Sequence, residues 1–551
     1  MNTLLSTTYQ AISLHLQDAP NNSEAARLAL TTILRRKARI LDTVTNELQL
    51  IRANITPENQ KLLDELNAVQ SQRSNLLYNP PEDLPPEQYR QLTDNLTAEA
   101  EQLEAQLAQR SAEFRVETEP VTIEKLQQLI PQDGALVEII QYYPLDVKAK
   151  TGEGVGKPRY AAYIISANSI NWVDLGEAEP IDQKVNEFRR DLGEKRTNVE
   201  NSARELDRMV MQPIREKLGD KTHVLISPDG QLNLIPFAAL MDENNEYLVK
   251  NYLFTYLTTG RDLLKLQLDA PSRQNPVMLA NPNYDAPGNS TGVQLASTSP
   301  PKTGRGNNQR STDFTSLTFS PLEGTELEAE AILPIVPNLQ LFTGSEATEN
   351  LLEQLQAPRI LHIATHGFFL EDIECIPTTG SRGTPIPGGF EIIHNPDFQP
   401  DCKPTPSNLE NPLLRSGLAL AGANPRKSDE KDGILTASEV TRLRLYGTKL
   451  VVLSACDTGV GSVATGEGVY GLRRAFVKSG AESQLMSLWK VDDYGTSELM
   501  SMYYQRIKNG VARSQAMRQV QLELLQAPFY QHPYYWSSFI FSGDWRPMEA
   551  F

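Results

Sequence analysis

Cysteine is scarce in this chain: three in 551 residues, at positions 375, 402 and 456. So few exclude a disulfide scaffold and indicate a reducing compartment, which we read as cytoplasmic. Long apolar runs are lacking too. No stretch of 18 apolar residues occurs, so no membrane-spanning helix is expected. The opening Met1-Asn-Thr-Leu-Leu-Ser-Thr-Thr has neither the basic nor the apolar region of a secretory leader, and none is expected. Positive charge is in deficit, with 52 Lys and Arg against 69 Asp and Glu and a net charge of −17, and no long basic run stands out. That argues against nucleic acid as the main ligand and is compatible with basic substrates. No 34-residue repeat is visible. Cys375, Cys402 and His394 follow no zinc spacing, so no metal or cofactor is expected.

What is present falls into two kinds of composition. Residues 1–120 read as helix, with a Ser23 cap candidate, a helix opening at Pro57-Glu58, and another after Pro85-Pro86. In the last, Leu92, Leu96, Ala100, Leu103 and Leu107 form a narrow apolar stripe between charges, which predicts an antiparallel coiled-coil hairpin, a packing arm and a place for a protein partner. From Val121 the pattern becomes α/β. Strands are expected at 135–143, 160–165 and 223–227, helices around 181–218, and a turn at Asp229-Gly230. Two irregular stretches interrupt the rest: a mobile loop at about 281–316 and an insertion at about 371–411. Thr436 is a helix-cap candidate, and further helices are expected at 323–333, 469–478, 496–508 and 512–526.

Chemistry concentrates at two strand ends. Lys449 to Leu453 is a short β-branched apolar run that breaks at Ser454-Ala455 into Cys456. Arg359-Ile-Leu-His-Ile-Ala-Thr-His-Gly367 shares that layout and ends in His366-Gly367. Open α/β sheets carry their sites at the carboxyl ends of strands. A lone cysteine is commonly an inert core residue, and His362 and His366 can be satisfied core histidines. Two readings therefore stay open here: core residues, or a thiolate–imidazole pair.

Several ordered motifs carry a resemblance. They are His366-Gly367, Ser454-Ala455-Cys456-Asp457-Thr458-Gly459, Gly466-Glu467-Gly468-Val469 and Ser487-Leu488-Trp489-Lys490-Val491-Asp492-Asp493. Asp229-Gly230 through Pro236-Phe237 and Tyr534-Tyr535-Trp536 add to them. Together they resemble the CHAT domain, of the caspase-like cysteine peptidases of clan CD and akin to separases, over roughly residues 120–551. The helical segment resembles the region between tetratricopeptide repeats and CHAT in cyanobacterial-type proteins. The resemblance implies a caspase-like three-layer α/β/α body. A pseudo-protease unit would occupy about 121–340 and the active protease unit 341–551, preceded by the all-α coiled-coil hairpin.

By the same resemblance, Cys456 attacks the scissile carbonyl as thiolate, and His366 activates the thiol or protonates the leaving amine. The backbone N–H groups of Gly367 and Cys456 form the oxyanion hole. His362 is the alternative catalytic histidine. Related separases read a basic P1 residue with the aspartate of a Trp-x-Val-x-Asp stretch, which Trp489 to Asp493 matches. Asp493 is then the pocket acid, with Asp492 and Asp457 as alternatives; the position two before the cysteine, where some clan members keep an acid, holds Ser454. Asp492 and Asp493 as mere helix caps remain the other reading. The function expected is a cysteine endopeptidase cutting after Arg or Lys, switched on by a partner, ligand or proteolysis. The alternatives are a catalytically silent scaffold that binds protein partners and a non-peptidase acyl transferase. Two readings stay open for the insertion at 371–411 and the segment on to Asp432: a lid at the site that is a candidate for self-cleavage at Arg426-Lys427 or Lys431, or a tolerated surface insertion with no regulatory role.

Overall fold

The computed structural model describes residues 2–37, scattered helical positions between 59 and 106, and 121–145, 155–289 (except 269), 317–369, 413, 416–428, 431–455, 467–489 and 493–549. The strands in chain order are β1 (Gly134–Tyr142), β2 (Arg159–Ile165), β3 (Ile170–Glu177), β4 (His223–Ser227), β5 (Leu253–Tyr256), β6 (Val277–Pro282) and β7 (Gln340–Gly344). They continue with β8 (Ile360–Ala364), β9 (Gly367–Phe369), β10 (Ser416–Ala419), β11 (Ile434–Thr436), β12 (Leu450–Ser454), β13 (Ser483–Ser487) and β14 (Phe539–Gly543). Among the described residues, eleven of them form one mixed sheet in the order β3-β2-β1-β4-β5-β14-β13-β12-β8-β6-β7. A small antiparallel sheet, β11-β10-β9, stands apart from it.

The sheet is buried on both faces, and alternation along β1 shows how. Ala135, Val137 and Ile139 enter one core, whereas Leu136, Ile140 and Tyr142 enter a second on the opposite face. Helix Ala178–Gly193 packs on the first with Ile181, Val185, Phe188 and Leu192, at spacings of 4, 3 and 4. Helices Ser23–Arg36 and Ile123–Leu129 supply Ala29, Leu30, Ile33, Ile123 and Leu126 to the second. The outcome is an α/β body with helices on either side of a central sheet.

Lys37, just after helix Ser23–Arg36, ties that helix to the body. Its Nζ meets Glu138 Oε2 at 3.0 Å and donates to the carbonyls of Ile139 (2.7 Å) and Ser227 (2.9 Å). Burying this pair costs desolvation, which the added hydrogen bonds offset. Helical positions between 59 and 106 are described, with Leu66, Val69, Leu96, Ala100 and Leu103 buried; of the expected stripe, Leu92 is instead exposed and Leu107 lies outside the described residues.

Strand direction decides where a site can form. β14 runs parallel to β5 but antiparallel to β13, so the sheet reverses at that seam. Beyond it β13, β12, β8, β6 and β7 are mutually parallel. β6, on the N-terminal side of the boundary drawn at residue 340, pairs with β7 and β8 on its far side. β12 and β8 are neighbours in register, Leu450 with Ile360 through Ser454 with Ala364, so their carboxyl ends emerge side by side. Leu450 to Leu453 are at most 1% exposed. Burial at this level contributes about 1.5–3 kcal/mol per large aliphatic side chain, which fixes the strand firmly beneath its tip.

Local expectations were met at several ends. Thr436 caps helix Ala437–Val440 in a reciprocal capping box with Glu439. Asp229 takes the Gln141 N–H at 2.8 Å and the Gly230 N–H at 3.0 Å, the work of a turn residue. The helix expected from 496 begins earlier, at Asp493. No described helix is long and apolar enough to cross a membrane. Of the loop expected at 281–316, Asn281 and Pro282 instead end β6, and Asn283 and Asn289 donate to the carbonyls of Gly344 and Ser345; residues 290–316, like the insertion at 371–411, lie outside the described residues.

Candidate active site

β8 ends at Ala364, Thr365 turns the chain, and His366-Gly367 leads into β9. The Thr365 N–H donates to the Ser454 carbonyl at 3.2 Å, so the adjacent strand ends remain joined past the sheet. A Cβ built on Gly367 would lie 1.9 Å from the carbonyl oxygen of Ala455. Only glycine permits that approach. Ala455 is held in turn by Ser487, whose Oγ accepts its N–H at 3.2 Å. Cys456 and Asp457 follow directly in sequence but lie outside the described residues, as does Asp492.

His366 is 6% exposed and fixed from several sides. Its Nε2 lies 2.8 Å from the carbonyl oxygen of Ser320. A carbonyl only accepts, so Nε2 carries a hydrogen, and in the neutral ring Nδ1 carries the lone pair. Tyr284 and Phe319 pack against the ring at centroid distances of 5.3 and 5.6 Å. Thr365 Oγ1 donates to the Ala419 carbonyl, which leaves it to accept from the Tyr284 hydroxyl at 2.8 Å. Burial pushes that hydroxyl up to about 12, so it keeps its proton and the bond.

Gly367 lies opposite Leu418 in the β9–β10 pair, and the neighbouring Ala419 donates to the His366 carbonyl at 2.9 Å. In an antiparallel pair the bonded positions alternate, so the Gly367 N–H points away from β10.

Trp489 and Asp493 line the same pocket as His366, together with Glu328, Thr325, Ser454 and Ser487. Trp489 is buried, with Nε1 donating to the Tyr534 carbonyl at 3.2 Å. Asp493, the first residue of helix Asp493–Lys508, is exposed at the rim. Its carboxyl carbon would be 1.9 Å from a Cβ on Gly324, so a second glycine makes room here.

His362 has a different environment from His366. It is 1% exposed, stacks on Tyr504 and has Nδ1 3.0 Å from the Tyr504 hydroxyl. Burial, then Tyr503 and Glu328, hold that hydroxyl well above its ordinary pKa. His362 Nε2 lies 3.0 Å from Glu328 Oε1, a close contact without hydrogen-bond alignment. Glu328 Oε2 accepts from Ser454 Oγ at 2.9 Å, so one buried carboxylate touches both strands of the site.

Sequence reasoning did not find Ser320, Tyr284, Phe319 or Glu328. The first acts through a backbone carbonyl and leaves no trace in side-chain pattern. Glu328 had a readable signal: it stands four positions before Ile332, on the buried stripe of helix Gly324–Ile332. The self-cleavage expectation at Arg426 meets an obstacle. Arg426 donates to the carbonyls of Ala423 (2.5 Å) and Leu317 (3.0 Å), and Lys431 Nζ pairs with Glu353 at 2.6 Å. Among the described residues, no group of three His, Cys, Asp or Glu is placed to hold a metal.

The family model for the CHAT domain matches residues 200–544, more than half of the chain. The chain belongs to the CHAT domain family. Tetratricopeptide repeat protein 28 of Homo sapiens is 26% identical over 330 residues, which are 59% of this chain and 12% of that protein. The Mus musculus protein of the same name is 25% identical over 335 residues, again 59% and 12%. This CHAT chain thus spans about an eighth of the length of the curated relatives it matches. Among solved structures, a chain of the Saccharomyces cerevisiae separase–securin complex is similar with a TM-score of 0.37 and 10% identity, over 98% of this chain and 40% of that one. The Arg-specific cysteine proteinase gingipain R is similar with a TM-score of 0.32 and 8% identity, over 62% and 68%.

Proposed function

We propose that this CHAT protein is a cysteine endopeptidase in which Cys456 is the nucleophile, His366 the base, and Asp493 the acid that selects Arg or Lys at P1. The observation that carries the reading is the junction of the two strand ends, with Gly367 against the Ala455 carbonyl. Ala455 immediately precedes Cys456 in the chain, and this supports the pairing of the two strand ends.

In this mechanism the thiolate of Cys456 attacks the scissile carbonyl carbon, and the carbonyl electrons move to oxygen. The Gly367 N–H, which points away from β10, and the Cys456 N–H receive that charge. His366, with its lone pair on Nδ1, takes the thiol proton and delivers it to the leaving amine, giving an acyl-enzyme. Water, deprotonated by the same ring, then hydrolyses the thioester and restores the thiol. A carboxylate at the pocket rim favours a cationic P1 side chain, since the pair excludes neutral competitors that would leave it unmatched.

The test is labelling with a chloromethyl ketone that carries an arginyl side chain, read by peptide mass spectrometry on the full chain. Cys456 is expected to react much faster than Cys375 and Cys402, and to slow when His366 is replaced by alanine. Three cysteines labelled at equal rates would sink the nucleophile assignment.

A further inference from the structure

Two aromatic rings and one carbonyl hold His366, and a single turn after β10 holds all three. Asn424 is the residue that does so. Its side-chain Oδ1 accepts the Phe319 N–H at 2.8 Å and its Nδ2 donates to the Phe319 carbonyl at 2.9 Å. Its own backbone N–H donates to the Tyr284 carbonyl at 2.8 Å. A third side-chain bond, Nδ2 to Asp285 Oδ1 at 2.7 Å, fixes the amide plane. Phe319 precedes Ser320, whose carbonyl takes the His366 Nε2–H, and Phe319 and Tyr284 are the two rings packed on the imidazole. Arg426 reinforces the turn by donating to the Leu317 carbonyl at 3.0 Å.

We propose that Asn424 is a positioning residue for the catalytic histidine: it pins Phe319 so that the Ser320 carbonyl holds His366 in the Nε2–H tautomer. The proposal rests on the reading of His366 as the base. The chemistry gives asparagine a special place, because a single amide both accepts and donates and so can pair with one residue's N–H and C=O at once. An aspartate cannot donate to the carbonyl, and an alanine can do neither. Without the pin, Ser320 is free to turn away, and an imidazole without a fixed acceptor at Nε2 distributes its proton over both nitrogens. A base whose lone pair is misplaced part of the time loses rate in the chemical step rather than in binding.

The tautomer can be read directly. In the full chain labelled with 15N-histidine and assigned with a His366→Ala variant, His366 is expected to give the Nε2–H pattern, and Asn424→Ala a mixed pattern. Asn424→Gln keeps both an acceptor and a donor on a longer stem, so it is expected to lie between the two and serves where alanine disturbs folding. An unchanged Nε2–H pattern in both variants overturns the proposal. This readout needs no turnover, so it is decided separately from the peptidase reading, which rests on Cys456 labelling. In cleavage of an arginyl peptide, kcat is expected to fall about tenfold with KM held within about twofold, a modest share of what a positioned base supplies. A loss confined to KM also overturns the positioning role.

Discussion

Gly367 stands so close to Ala455 that a methyl group on it would lie 1.9 Å from the Ala455 carbonyl oxygen. Both partners are backbone at strand ends, so neither can yield as a flexible side chain would. Gly367→Ala is therefore expected to force β8 and β12 apart at their tips, at about 1–3 kcal/mol of stability for an overpacked site. Displacement of about 1 Å between reacting groups lowers turnover by roughly a hundredfold. A thermal melt and a peptide assay would check both. Parental melting and parental turnover together would show that the strand ends are not the reacting geometry.

Asp493 sits on the pocket rim that His366 and Trp489 also line. Asp493→Ala is expected to lower cleavage after Arg by about tenfold or more, the discrimination typical of a lost charge partner, while alkylation of Cys456 by a small neutral reagent is unchanged. Equal losses in both assays would assign Asp493 to the start of its helix instead of to the substrate.

How much of this was readable depended on whether the information was local. β8 and β12 were legible because four of the five positions in each are apolar and the strands are buried on both faces. β3 and β14 were not. Ile170–Glu177 is an outer strand with most positions half-buried, which blurs its alternation. Phe539–Gly543 is five residues long and becomes a strand through pairing with β13, more than fifty positions away. The same holds for β6, whose partners β7 and β8 lie far along the chain. His366, Gly367, Trp489 and Asp493 were singled out as candidates from motif and position. Asn424 and Ser320 were not, because one looks like any turn asparagine and the other contributes only backbone.

Glu328 is buried between Ser454 and His362. Glu328→Ala removes the acceptor from a half-buried hydroxyl and strips the buried carboxylate from beside His362, at a cost of about 1–3 kcal/mol. Glu328→Gln keeps an acceptor for Ser454 and should recover part of that loss. Urea midpoints would report it. An alanine variant as stable as the parent would mean that this network contributes nothing to the strand ends.

Arg426 occupies a positive-φ turn position with φ 54, and its guanidinium is engaged with Ala423 and Leu317. A protease cleft takes an extended segment with the P1 side chain outward, and neither condition holds here. The folded chain is expected to stay uncut between Arg426 and Lys427 during prolonged incubation. Intact-mass analysis checks this, and a fragment starting at Lys427 would contradict it.

His223, at the start of β4, is 4% exposed, with Nε2 2.9 Å from Thr255 Oγ1 and its ring edge against Trp545 at 5.3 Å. Burial lowers its pKa from 6.5 to about 4, against a weaker upward pull from Asp133. Between those values the unfolded chain binds a proton that the folded chain refuses. Stability from this group is therefore complete above pH 6.5 and lost as pH falls toward 4, below which both states are protonated. A shift of this size corresponds to about 3 kcal/mol. His223→Gln retains a donor and an acceptor but does not titrate. Its stability relative to the parent is expected to be lower at pH 7 and to converge with, or exceed, the parent's at pH 4.5. Urea midpoints at pH 7, 5.5 and 4.5 would test this, and a constant difference across the series would remove His223 from the acid response.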